Sequence, residues 1–95
     1  FREVFAGSPI KRIGRDRFLR NVLIAIGNSG DERLARAAEA RLSDESALVR
    51  GAAVWALSRL LAPAAFAALR RDDPDPEIAA EWRLGSAEAR DRSPR

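Results

Sequence analysis

The 95-residue chain contains no cysteine, histidine, methionine or tyrosine. Without cysteine there are no disulfides and no thiol nucleophile, and without cysteine or histidine there is no ordinary zinc site. Without histidine there is no Ser-His-Asp relay. No apolar run approaches the roughly 18 residues that would span a bilayer, and no signal peptide is visible, so a cytoplasmic protein without membrane contact is expected. β-branched residues are few, whereas alanine abounds. That balance favours close-packed helices over strands. A chain of this length forms one small domain with a thin core. Phe1 is not a start methionine, which suggests a piece of a longer protein.

The charge is concentrated rather than excessive. The net charge is +3. The first twenty residues carry six cations against Glu3 and Asp16. Sixteen of the seventeen cations are arginine, the side chain that forks phosphate and stacks on bases. Lys11, Arg12, Arg15 and Arg17 fall within seven residues, interleaved with Ile10, Ile13 and Phe18. Gly7-Ser8-Pro9 and Gly14 mark this stretch as a loop, the end of an entry segment over 1–15. The most apolar run follows at once, Phe18 to Ile26, and a helix of that composition is expected to be buried on most of its surface.

Helix signals divide the remainder. Asp16 caps a first helix over about 17–27, with Leu19, Val22, Leu23 and Ile26 on one face, and Asn28-Ser29-Gly30 ends it. Asp31 caps a second over about 32–42, Ser46 a third over about 47–61. Pro63 opens a short fourth over about 63–71, and Asp75-Pro76 a fifth over about 77–83. The tail 85–95 is small, charged and proline-ended, and reads as disordered.

The caps Asp16, Ser46 and Asp75 recur 30 and 29 residues apart, each followed three residues later by Leu19, Val49 or Ile78. A helical hairpin of about 30 residues, repeated, is the mark of an α-solenoid, with the first and third helices packed in parallel. DESALVRGAAVWALSRL resembles HEAT-like repeats, so the expected fold is all-α, a short solenoid of HEAT-like hairpins over 16–84. Arg20 and Arg50 recur at one repeat position, where pairing with a loop aspartate, Asp44 or Asp73, is expected. Asp72, Asp73, Asp75 and Glu77 lack the glycine and terminal glutamate of a calcium loop and read as a capping cluster. Trp55 and Trp82 read as packing. Asn21 is expected to satisfy backbone groups of the loop folded back on it.

The basic loop is the one candidate site. Beside the positive end of the first helix, Lys11, Arg12, Arg15 and Arg17, with Arg20 behind them, can form a phosphate-backbone site. A solvated loop, or one docked on an acidic neighbouring domain, accounts equally for the same residues.

FAGSPIKRIGRDRFLRNVLIAIGN, with its F-x-G-S-P-I-K-R-I-G block and the L-R-N and G-N that follow, resembles the start of the C-terminal helical-repeat region of bacterial epoxyqueuosine reductases. The resemblance covers roughly residues 1–60. It implies a parent oxidoreductase that reduces epoxyqueuosine at the tRNA wobble position with cobalamin and two 4Fe-4S clusters. It implies no cofactor in this chain. The expected role is a module that helps hold tRNA beside upstream catalytic domains of the same polypeptide, with Lys11, Arg12 and Arg15 at basic positions of the block. The alternative is a HEAT-like scaffold that docks on the catalytic domain without touching nucleic acid.

Overall fold

The computed structural model describes the backbone of residues 9–92 and the side chains of residues 13–88. All regular structure there is helical: α1 (Pro9–Ser29), α2 (Ala35–Glu39), α3 (Ala47–Leu60), α4 (Pro63–Leu69) and α5 (Pro76–Arg92), with no strand among the described residues. The all-α repeat expected from sequence is present.

α1 and α3 run side by side in the same direction. Gly27 lies against Trp55 and Ala56 near their C-terminal ends, and Arg15 reaches Asp44 at the other end. α3 and α5 repeat the arrangement, with Gly51 beside Ile78 and Ser58 beside Gly85. The crossings are close because they are built on small side chains. A Cβ added at Gly27 would lie 2.6 Å from the Trp55 ring, and one at Gly85 would lie 2.8 Å from Phe66 and 2.9 Å from Ser58. Gly27, Ala56 and Gly85 are spaced by 29 residues, which is the true register of the stack.

α3 is the hub, touching α1, α2, α4 and α5. Val49, Ala53, Val54, Ala56 and Leu57 on it have no exposed surface. Trp82 from α5 stacks on Phe66 from α4, their ring centroids 5.0 Å apart, and closes one end of the core. Both tryptophans pack, as expected, though Trp55 keeps part of its ring in solvent.

Four expectations need correction. The apolar run of α1 is not the buried centre: Leu23 and Ile26 are covered, but Phe18 is 65% exposed and Val22 and Ile24 are 38% exposed. Residues 9–15 are not a loop. Pro9 begins the helix, where its missing N–H costs nothing. A Cβ at Gly14 would meet nothing within 4 Å among the described residues, and the glycine only weakens the turn, by about 1 kcal/mol, without breaking it. Asp16 is therefore inside α1 and caps nothing. The expected second helix is one α-helical turn between two 3₁₀ turns, Glu32–Leu34 and Ala40–Ser43. Asp31 does cap it, accepting the Arg33 amide at 3.0 Å, and this tightens the opening turn. Finally, Gly85 does not end the fifth helix. It sits buried in the crossing with Ser58 and Phe66, and the good helix formers after it carry α5 to Arg92, so 85–92 is helix rather than disordered tail. Residues 1–8 of the entry segment and 93–95 of the tail lie outside the described residues.

Candidate nucleic-acid interface

The five cations singled out in sequence share α1, but they do not share a role. The side chains of Lys11 and Arg12 lie outside the described residues. Arg15 is already engaged. Its guanidinium donates to both oxygens of Asp44, at 2.6 and 3.2 Å, and to Asp16 at 2.7 Å. Asp44 is almost wholly covered, with a side chain 3% exposed, and Arg41 adds a second cation at 3.5 Å. Hydrogen bonds from Arg15, against the cost of burial, hold the Asp44 carboxyl below its usual range; the Ser46 amide and the charge of Arg41 help. The hydrogen bonds that Arg15 donates to Asp44 and Asp16 raise its own pKa in turn.

The next repeat has the same device. Arg50 donates to both oxygens of Asp73, at 2.8 and 3.2 Å, and to the carbonyls of Asp44 and Glu45 at 3.0 and 3.2 Å. Burial pushes the Asp73 carboxyl up, but Arg50 and the Asp75 amide outweigh it and hold it low. Each aspartate also accepts the amide two residues on, Ser46 or Asp75, at 2.9 Å. Asp75 in turn accepts the Glu77 amide at 2.8 Å. The acidic loop is thus a capping cluster, and no group that could hold a metal ion occurs among the described residues.

The Arg50–Asp73 pair is the one expected. Arg20 was expected to match it on Asp44 and does not. Because α1 starts at Pro9, Arg15 is already helical and takes that carboxylate. Among the described residues Arg20 is left with only the side-chain oxygen of Asn21, at 3.1 and 3.4 Å. Asn21 is exposed, and residues 9–15, which were expected to fold back on it as a loop, are helix. The signal that sequence reading passed over was the 29-residue spacing of Asp44 and Asp73, each two residues before a cap.

Arg17 is exposed, and no hydrogen bond or ion pair engages it among the described residues. It lies one helical turn from Arg20 and, seven residues on, Ile24, so the three share one side of α1. Arg17 and Arg20 are therefore the two described cations of this set that no carboxylate neutralises. The remaining partially exposed ring, Trp55, carries Arg59 over its face at 5.5 Å.

Comparison with known proteins places this arrangement. The chain is 48% identical to an epoxyqueuosine reductase of Xanthomonas campestris pv. campestris over 54 residues, 56% of this chain and 15% of that protein. It is 43% identical to an epoxyqueuosine reductase of Alicycliphilus denitrificans over 67 residues, 62% of this chain and 19% of that protein. These matches span less than a fifth of either relative. No solved structure matches the chain. The family model for HEAT repeats matches residues 14–85, from the second turn of α1 to the buried glycine of α5, and the chain belongs to the HEAT-repeat family.

Proposed function

We propose that the chain is the C-terminal HEAT-like module of an epoxyqueuosine reductase and that it helps hold tRNA for the reduction of epoxyqueuosine at the wobble position. The observation that carries this reading is the similarity to two proteins of that name, over more than half of this chain. The 4Fe-4S clusters implied for the parent do not fit here, since a cluster needs thiolates and this chain has no cysteine. Reduction belongs to other parts of the parent, and the module contributes position.

The phosphate contact narrows to Arg17 and Arg20, together with Lys11 and Arg12. Arg15 would have to release Asp44 to reach a phosphate, and that would leave a covered carboxylate without its partner. Each phosphate neutralised releases counterions and adds about −0.9 to the log–log salt slope on duplex nucleic acid, so three contacts give a slope of about −3. Binding of tRNA across a salt series tests the reading. Arg17→Ala with Arg20→Ala should weaken binding and flatten the slope by about 1–2. Arg33→Glu with Arg36→Glu, on the outer side of the second hairpin arm, should change it much less. Unchanged affinity and slope in the α1 double variant would reject the contact.

One observation favours the scaffold alternative. Phe18 and Val22 leave an apolar strip on the outer side of α1, which suits protein contact better than phosphate. Phe18→Ser separates the two roles: it should spare tRNA affinity if α1 contacts RNA through its cations, and abolish docking on the catalytic domain if that strip is the seat.

A further inference from the structure

A groove of about 450 Å³ crosses the first helix of each hairpin, α1, α3 and α5. Its apolar lining includes Ile24, Leu48, Trp55 and Ile78. Leu48 is 45% exposed, although every other large aliphatic side chain on α3 is buried. Three charged side chains line the same groove: Arg20 from α1, and Glu77 and Glu81 from α5.

These charges differ from those at the loops. Along the loop edge Arg15 and Arg50 have carboxylates within 2.8 Å. In the groove, no hydrogen bond or ion pair engages the carboxylate of Glu77 or Glu81 among the described residues, and Arg20 has only an amide. Glu77 and Glu81 are one helical turn apart, so they present two carboxylates in a row along one wall. Partial burial, and then the charge of Glu88, raise the pKa of Glu81, as befits a carboxylate lacking a cation. The groove therefore combines apolar surface with two unneutralised acids on one wall and one weakly engaged cation on the other.

That charge pattern disfavours a nucleic-acid backbone, which the acids would repel. It also constrains the form of a peptide. α1, α3 and α5 bond their backbone groups within themselves and offer no strand edge to extend, so recognition must pass through side chains, as when an amphipathic helix lies in an apolar groove. We propose that this groove docks an amphipathic partner helix, its apolar stripe on Ile24, Leu48 and Trp55 and its Lys or Arg side chains against Glu77 and Glu81. Arg20, on the opposite wall, sets the orientation by favouring an acidic or amide side chain on the partner's other edge. The proposal shares Arg20 with the tRNA reading, but its test turns on Leu48, Glu77 and Glu81, which that reading does not use, so either can fail while the other holds.

The probe is a phage-displayed library of helical peptides of about 16 residues. It is panned on the 95-residue chain and counter-selected on Leu48→Asp, a change at an exposed position that should keep the helical circular dichroism. The enriched peptides should carry leucine-like residues at three- and four-residue spacing with Lys or Arg along one edge. Synthetic versions should lose at least about tenfold in affinity to Leu48→Asp, and similarly to Glu77→Lys with Glu81→Lys. Panning on that lysine variant should turn the selection toward acidic edges. The proposal is overturned by no enrichment over Leu48→Asp, by enrichment without a basic edge, or by affinity that the lysine variant leaves unchanged. It is equally overturned if a short RNA, or a second copy of the chain, occupies the groove in a Leu48-dependent way while no peptide does.

Discussion

α1 and α3 carry comparable apolar runs, yet the fold treats them in opposite ways. α3 has helices around it, and six of its side chains lose all contact with solvent. α1 is covered along one side, where Leu23, Ile26 and Gly27 meet the hub, while Phe18, Val22 and Ile24 remain at the surface. A run of apolar residues says that a helix has surface to bury. It does not say that its own domain will bury it. In a solenoid each unit packs only on its neighbours, so position in the stack decides how much cover a helix receives.

The largest expected contrast is between the two helices themselves. Leu57→Ala, at the hub, should cost about 2–5 kcal/mol, and Phe18→Ser on α1 should stay within about 0.5 kcal/mol. Chemical denaturation measures both. Equal losses would mean that α1 is as deeply packed as α3.

A second contrast lies within α1. Gly27→Ala drives a methyl group into the Trp55 ring and should cost about 1–3 kcal/mol as overpacking. The same substitution at Gly14, where nothing lies within 4 Å, should gain about 0.5–1 kcal/mol from helix propensity alone. Opposite signs in one helix would confirm that only its C-terminal half is pressed against the hub. A gain at both glycines would remove that close crossing.

Much of this was legible in sequence. The caps Asp31 and Ser46 and the pairing of Arg50 with Asp73 follow from residue type and spacing, and so does the hairpin period. The start of α1 did not, because Gly14 looks the same in sequence whether it breaks a helix or merely sits in one. Gly85 misled for the opposite reason: its lack of a side chain serves a crossing with Ser58 and Phe66, partners remote in the chain. The site shifted for a related cause. Once residues 9–15 are helical, Arg15 is carried to Asp44, and the cation expected to meet RNA becomes a loop tie, while Arg20, expected to be the tie, is left facing the groove.

The two arginines at matching repeat positions give a smaller test. Arg50→Ala strips a partly buried Asp73 of its partner and should cost about 1–2 kcal/mol, toward the low end for an unmade charged hydrogen bond. Arg20→Ala should be nearly neutral in stability. If both cost the same, Arg20 has a structural partner after all.

The smallest effect is in pH. The lowered carboxyls of Asp44 and Asp73 contribute stability that is fully present above the ordinary aspartate pKa of about 3.9 and is lost as pH falls through their folded values. Glu81, whose pKa is raised, acts the other way, favouring the fold when protonated and costing stability as pH rises past its folded value. Thermal melts between pH 3 and 7 should therefore show a falling melting temperature at the acid end, reduced in Asp44→Asn with Asp73→Asn. Glu81→Gln should raise the melting temperature slightly at pH 7 and have no effect at pH 3.

Native-state hydrogen exchange of the whole chain tests most directly whether α3, rather than α1, is the centre. The amides of residues 53–57 in α3 should be the slowest in the molecule, exchanging only on global unfolding, and those of residues 13–18 in α1 should exchange orders of magnitude faster through local opening. Slowest exchange in the first half of α1, with α3 opening ahead of it, would contradict the account.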